Sequence, residues 1–140
     1  MLNIYDLKIN NIVKYKKGHL ARIVSITLVD DSKELIEVRG IDDNYIDGTY
    51  EIFHWEPVPI NEEIILSCGF LDYGKDSSNV HLFGLNGIYL ERPYRSKEYF
   101  INNISLNGIN GIKIKYIHEL QNFYSTAKKE QLKFKDLINI

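Results

Sequence analysis

The stretch Ile112-Lys-Ile-Lys-Tyr-Ile-His-Glu-Leu-Gln-Asn-Phe-Tyr-Ser-Thr-Ala127 changes period part-way along. Ile112 and Ile114 alternate with Lys113 and Lys115, the period of two of a half-buried strand. From Tyr116 onward Ile117, Leu120, Tyr124 and Ala127 fall at helical spacing and line one stripe. An amphipathic helix of this kind needs a sheet to lie on, and the preceding 110 residues read as that sheet. The fold class expected is therefore α+β.

The upstream elements follow from turn chemistry. Ile12–Tyr15, Leu20–Leu28 and Leu35–Arg39 read as three strands of a small β meander, with turns at Lys16–His19 and Asp30–Lys33. Asp47-Gly48 between Tyr45-Ile46 and Tyr50–Ile52 is a hairpin signal. Pro57 and Pro59 enforce an extended path. Asn61 then offers an N-cap, with Glu62 and Glu63 in the first turn, where the helix dipole favours acids. Ile64, Ile65 and Cys68 form the inner face of a two-turn helix that Gly69 ends. Leu71–Asn79 reads as a polar loop. Val80–Phe83, Ile88–Arg92, Glu98–Ile101, Ile104–Leu106 and Gly111–Ile114 supply a second antiparallel sheet, with tight turns at Asn86-Gly87 and Asn107-Gly108. Leu132–Ile138 reads as an edge strand. The expected architecture is an N-terminal SH3-like β meander, a short connecting helix, and a second antiparallel sheet packed by a C-terminal helix. It forms one domain over residues 1–140, divisible into subdomains 1–56 and 57–140. SH3-like here marks a resemblance: Leu7-Lys-Ile-Asn-Asn-Ile-Val13, then Gly18, then Ile23-Val-Ser-Ile26, resembles the start of SH3-like or KOW-like small barrels, which usually carry a glycine where this chain has Asn10.

Composition narrows the class. Hydrophobic residues are 44% and charged residues 26% of the 140, a globular balance. No run approaches the roughly 18 apolar residues of a membrane span. The N-terminus lacks a signal-like apolar core. The single cysteine, Cys68, fits a reducing cytoplasm and reads as a buried small hydrophobe. Net charge is −2, so the overall basic footprint of a nucleic-acid binder is absent. Charge is nonetheless blocked: residues 28–63 carry eleven acids against Lys33 and Arg39, while both ends are basic.

A search for chemistry mostly excludes. His118-Glu119-Leu-Gln-Asn122 nearly matches a zinc-protease motif, but Asn122 stands where a second histidine is needed. It reads instead as a polar helix flank with Ser125. Asp42, Asp43 and Asp47 lack the spacing of a calcium loop. No phosphate-binding glycine loop or nucleophile elbow is present. No catalytic residue, metal or cofactor is assigned. One cluster looks like a binding surface: Tyr89, Arg92, Tyr94, Arg95 and Tyr99, with Lys97 among them and Trp55 and His54 as a further flat surface. Arginine offers a planar fork for phosphate and tyrosine a ring for stacking.

Two segments carry a resemblance. Trp55-Glu-Pro-Val-Pro-Ile-Asn-Glu-Glu-Ile-Ile-Leu-Ser-Cys-Gly-Phe70 and Ile114-Lys-Tyr-Ile-His-Glu-Leu-Gln-Asn-Phe-Tyr124, with Lys129–Leu132, resemble uncharacterised small proteins of Bacteroidota phages and prophages. Those carry a Pro-Ile-Pro-Leu-Thr segment leading into a helix ending Gly-Phe, and a Tyr-Val-His-Glu-Leu-Gln-Asn-Leu-Tyr helix. Asn61 replaces their usual threonine cap. The resemblance implies a phage origin and brings no activity. The resulting expectation is a non-enzymatic accessory binding protein in the host bacterial cytoplasm. It would counter host defence by sequestering a nucleotide-type small molecule, as a homo-oligomer, or by docking on a host protein. The alternative is a nucleic-acid- or protein-binding module in phage replication or regulation.

Overall fold

The computed structural model describes residues 2–29, 33–41, 46–102 and 110–135. These form an α+β structure of two five-stranded antiparallel sheets and one main helix. The first sheet contains β1 (Ile12–Tyr15), β2 (Leu20–Val29), β3 (Lys33–Gly40), β4 (Gly48–Glu51) and β5 (Trp55–Pro57). Its spatial order is β4-β3-β2-β1-β5. The last strand returns to β1 through a 3-10 turn at Ile52–His54, pairing Tyr15 with Trp55. After helix α1 (Glu62–Ser67), the second sheet contains β6 (Leu71–Lys75), β7 (His81–Leu85), β8 (Ile88–Arg92), β9 (Tyr99–Asn102) and β10 (Asn110–Ile114). It is a plain meander, order β10-β9-β8-β7-β6. Helix α2 (Ile117–Lys128) is the last regular element among the described residues.

Local chemistry sets the boundaries as expected at several points. The Asn61 side chain accepts the Ile64 N–H at 2.9 Å, so the cap of α1 is made. Asn86 and Gly87 have φ of 49° and 84°, the two positive values that a tight hairpin turn matching strand twist requires. The Glu119 carboxylate reaches back to the Tyr116 N–H at 3.0 Å and the Lys115 N–H at 3.1 Å, fixing the start of α2.

Other expectations are corrected. Leu71–Lys75 is not loop but the edge strand β6, where Leu71 and Tyr73 alternate with Asp72 and Gly74 yet stay exposed. Only Asp76–Val80 turns. Asp47-Gly48 is no two-residue hairpin: Gly48 begins β4, which pairs with β3, while the Asp47 carboxylate accepts the Gly40 N–H at 2.8 Å. The tail at Gln131–Lys135 is not a strand. It packs through buried Leu132 and is tied by the Lys135 N–H to the Ser67 carbonyl at 2.7 Å. The turns expected at 30–33 and Asn107-Gly108, the strand at 104–106, and Asp42 and Asp43 lie wholly or largely outside the described residues.

Each sheet has its own core. Val13, Ala21, Ile23, Ile36, Val38 and Trp55 anchor the first. Ile65, Phe83, Ile88, Leu90, Ile101 and Leu120 anchor the second. Between them Ile12, Leu20, Val58, Ile64 and Ile117 form a third cluster, the seam. Helix α2 is therefore buried on two sides. Ile117, Leu120 and Tyr124 are buried as the helical spacing requires, but so are His118 and Gln121, while Ala127 is exposed. The Gln121 amide accepts the Ile12 N–H at 2.9 Å and donates to the Asn10 carbonyl at 2.9 Å. Asn122 accepts from the Asn11 amide at 2.8 Å and donates to the Asp6 carbonyl at 2.8 Å. Asn10, at φ 76°, adopts the left-handed conformation that glycine supplies elsewhere.

Gln121→Ala would leave the buried Ile12 N–H without its acceptor and would remove one of the two donors to the Asn10 carbonyl, which keeps the Arg22 guanidinium at 3.3 Å. Urea denaturation is expected to show a loss of about 2 kcal/mol or more, against a change within about 0.5 kcal/mol for the exposed control Leu66→Ala.

Candidate functional site

In an antiparallel meander, alternate hairpin loops emerge at the same end of the sheet. The β6–β7 turn and the β8–β9 turn therefore lie side by side, next to the first turn of α1. The β6–β7 turn is shaped by Asp76, whose carboxylate accepts the Ser78 N–H at 2.8 Å and the Val80 N–H at 3.0 Å. In the other turn the Ser96 N–H meets the Pro93 carbonyl at 3.0 Å, and Arg95 sits at φ 59°. Between them lies a depression of ≈ 370 Å³ lined by Lys75, Asn79, His81, Arg92, Pro93, Tyr94, Arg95 and Ser96. Three of these side chains are basic and none is acidic.

Arg92 is the fixed member. One guanidinium nitrogen lies 3.4 Å from the Glu62 carboxylate and 3.2 Å from the Tyr99 hydroxyl. The other donates to His81 Nδ1 at 3.1 Å. A guanidinium has only donors, so Nδ1 must accept and the imidazole proton resides on Nε2. That nitrogen faces the Asp72 carboxylate at 2.6 Å. The His81 bond, with a second from the Gly74 N–H, holds the Asp72 carboxyl below the usual carboxylate range. The His81 ring stacks on Phe83 at 4.3 Å. Burial pushes the Tyr99 phenol up, so it stays a neutral partner for Arg92. Arg95 and Lys75 are the adjustable members. Neither has an acid within ion-pair distance among the described residues. The Arg95 guanidinium lies 5.0 Å from the Tyr94 ring, which is itself exposed.

Of the residues singled out in the sequence, Arg92, Tyr94 and Arg95 are brought together. Tyr99 sits beneath them as a buried support. Tyr89 does not join: it points to the opposite face of the sheet, beside Tyr73. Trp55 does not join either, because it is 1% exposed in the first-sheet core, between the rings of Tyr15 and Tyr50 at 5.2 and 5.3 Å. Lys75, Asn79 and His81 were missed. They come from the adjacent hairpin, and only the strand pairing of His81 with Arg92 makes them neighbours.

The donor atoms of Glu62, Asp72 and His81 lie within 4.8 Å of one another, a metal-like set. The Arg92 guanidinium already bonds two of the three, so a divalent ion would have to displace a cation. Asn122 of the near-zinc motif is consumed by the seam. No described helix is long and apolar enough to cross a membrane. No protein-family model, curated protein or solved structure matches the chain.

Two titratable groups outside the depression give direct tests. Burial raises the Cys68 thiol to about 12, so almost no thiolate forms near neutrality. Iodoacetamide is expected to leave the native protein unmodified and to label it fully once unfolded; rapid native labelling would refute the burial. His118 is 6% exposed, and burial pushes its pKa below 6.5. Its neutral form is favoured by folding, so this stability is present above 6.5 and is lost as pH falls toward the folded pKa. Melting temperature should drop below pH 6.5, with a shallower slope in His118→Gln.

Proposed function

We propose that this is a non-enzymatic phage or prophage accessory protein that captures a phosphate-bearing, nucleotide-type small molecule in the depression between the two hairpin turns. The observation that carries the reading is the convergence of Lys75, Arg92 and Arg95 on one concave surface with no acid in its lining. Arg92, held by Glu62, Tyr99 and His81, is pre-organised and loses little freedom on binding. Arg95 and Lys75 add charge-assisted bonds that phosphate oxygens satisfy well. Asn79 and Ser96 supply neutral partners, and Tyr94 a ring at the rim. The phage origin rests on the sequence resemblance in the Pro57–Phe70 segment and the α2 motif. Sequestering a nucleotide signal that a bacterial host uses in defence is the role such a site would serve in the host cytoplasm. The depression is open, so a subunit interface in a homo-oligomer would complete its enclosure.

The finer architecture belongs to the same proposal. We read the first sheet as SH3-like. What supports this is its order β4-β3-β2-β1-β5, with the 3-10 turn preceding a short last strand beside β1.

Calorimetric titration with mono- and dinucleotides tests the reading, with uncharged nucleosides as controls. Arg95→Ala is expected to weaken binding about tenfold or more while leaving the melting temperature unchanged. Absence of binding heat, together with absence of nucleotide released on denaturing the purified protein, would refute it.

A further inference from the structure

The opposite face of the second sheet carries a different surface. Strand β7 presents Gly84 there, and a Cβ on it would fall 2.7 Å from a Tyr73 ring atom and 2.8 Å from two Tyr89 ring atoms. The missing side chain lets both rings lie down across the strand, their centroids 6.3 Å apart at 50°. Together with Leu82, Glu91 and Asn102 they line a groove of ≈ 400 Å³. Two aromatic rings and a leucine make it largely apolar, yet a carboxylate stands at one end.

That carboxylate has no cation within ion-pair distance among the described residues. Glu91 is half-buried, and its partner among the described residues is the Asn102 amide, which donates to it. An amide beside a carboxylate presents its NH2, so the Asn102 carbonyl oxygen is a second acceptor near Glu91, with no donor to it among the described residues. Lys113, two strands away, is already paired with Glu98. A half-buried anion at the end of an aromatic groove is incompletely solvated. The complement is an organic cation with two N–H donors in one plane.

We propose that this groove is a second ligand site, for a small molecule bearing a guanidinium group. The fork of the guanidinium would meet Glu91 and the Asn102 carbonyl oxygen, and its flat face would lie against the Tyr89 or Tyr73 ring. The proposal is independent of the anion depression, which lies at the sheet's loop end and has the opposite charge.

The test is a titration of the full chain with agmatine, followed by amide chemical-shift mapping. Saturable shifts are expected on β6, β7, β8 and β9 around Tyr73, Leu82, Tyr89 and Glu91. Glu91→Gln keeps the shape and removes the charge, and should weaken agmatine binding at least about tenfold; Tyr89→Leu should do likewise. Arg95→Ala should leave it unchanged, which separates this site from the anion site. Equal binding by Glu91→Gln, shifts that map elsewhere, or no saturable shift would overturn the proposal. So would a self-associated state that excludes agmatine and dissociates on Glu91→Gln, because the face would then belong to a second copy.

Discussion

The side-chain amide of Gln121 is the point on which the two halves of this protein depend. It is buried, and it gives and takes one hydrogen bond each with the backbone of Asn10 and Ile12. Without it the Ile12 N–H would be sealed from water and unpaired, at about 1–3 kcal/mol, and the Asn10 carbonyl would keep only the Arg22 guanidinium at 3.3 Å. Asn10 turns left-handed, at φ 76°, where its carbonyl meets the helix. The apolar seam of Ile12, Leu20, Val58, Ile64 and Ile117 supplies the area, and the amide supplies the register. Backbone bonds from Ile60 to Lys115 and from Ile117 to Val58, both 2.9 Å, complete the join.

This arrangement leaves the far end of the second sheet open. The helix and the seam cover its inner face, so Arg92 emerges from that face only at the loop end. There Glu62 from α1, His81 from β7 and Tyr99 from β9 grip it from three elements. A charged group held in this way is costly to desolvate but does not need to be ordered when a ligand arrives. Arg95 and Lys75, on the turn and the edge strand, retain the freedom to adapt.

Much of this was legible from local patterns. The α1 cap was written in Asn61-Glu62-Glu63, the hairpin in Asn86-Gly87, and α2 in the change of period at Tyr116. The two-sided burial of α2 was not legible. Gln121 and Asn122 look like a solvent flank by residue type, and only strands far away in sequence make them interior. Edge strand β6 was hidden because Leu71 and Tyr73, which alternate with Asp72 and Gly74, stand among the polar residues of a loop-like run. The site was half legible: Arg92, Tyr94 and Arg95 are dense in sequence, but Lys75, Asn79 and His81 join them only through pairing. Trp55 misled as a flat binding surface because an aromatic cluster of Tyr15, Tyr50 and Trp55 serves a core as readily as a ligand.

The seam also divides the folding problem in time. Both sheets are built largely from strands adjacent in sequence, so most of their loop closures are short and fast. The join between them is not: Gln121 meets Asn10 across a separation of 111 residues. The entropy of closing so long a loop is met only when both sheets are already in place. On the ribosome, Ile12, Leu20 and Val58 must wait with their apolar faces uncovered until Ile117 is made. The chain's exposure to aggregation is therefore concentrated in one interval, which ends when the last helix docks.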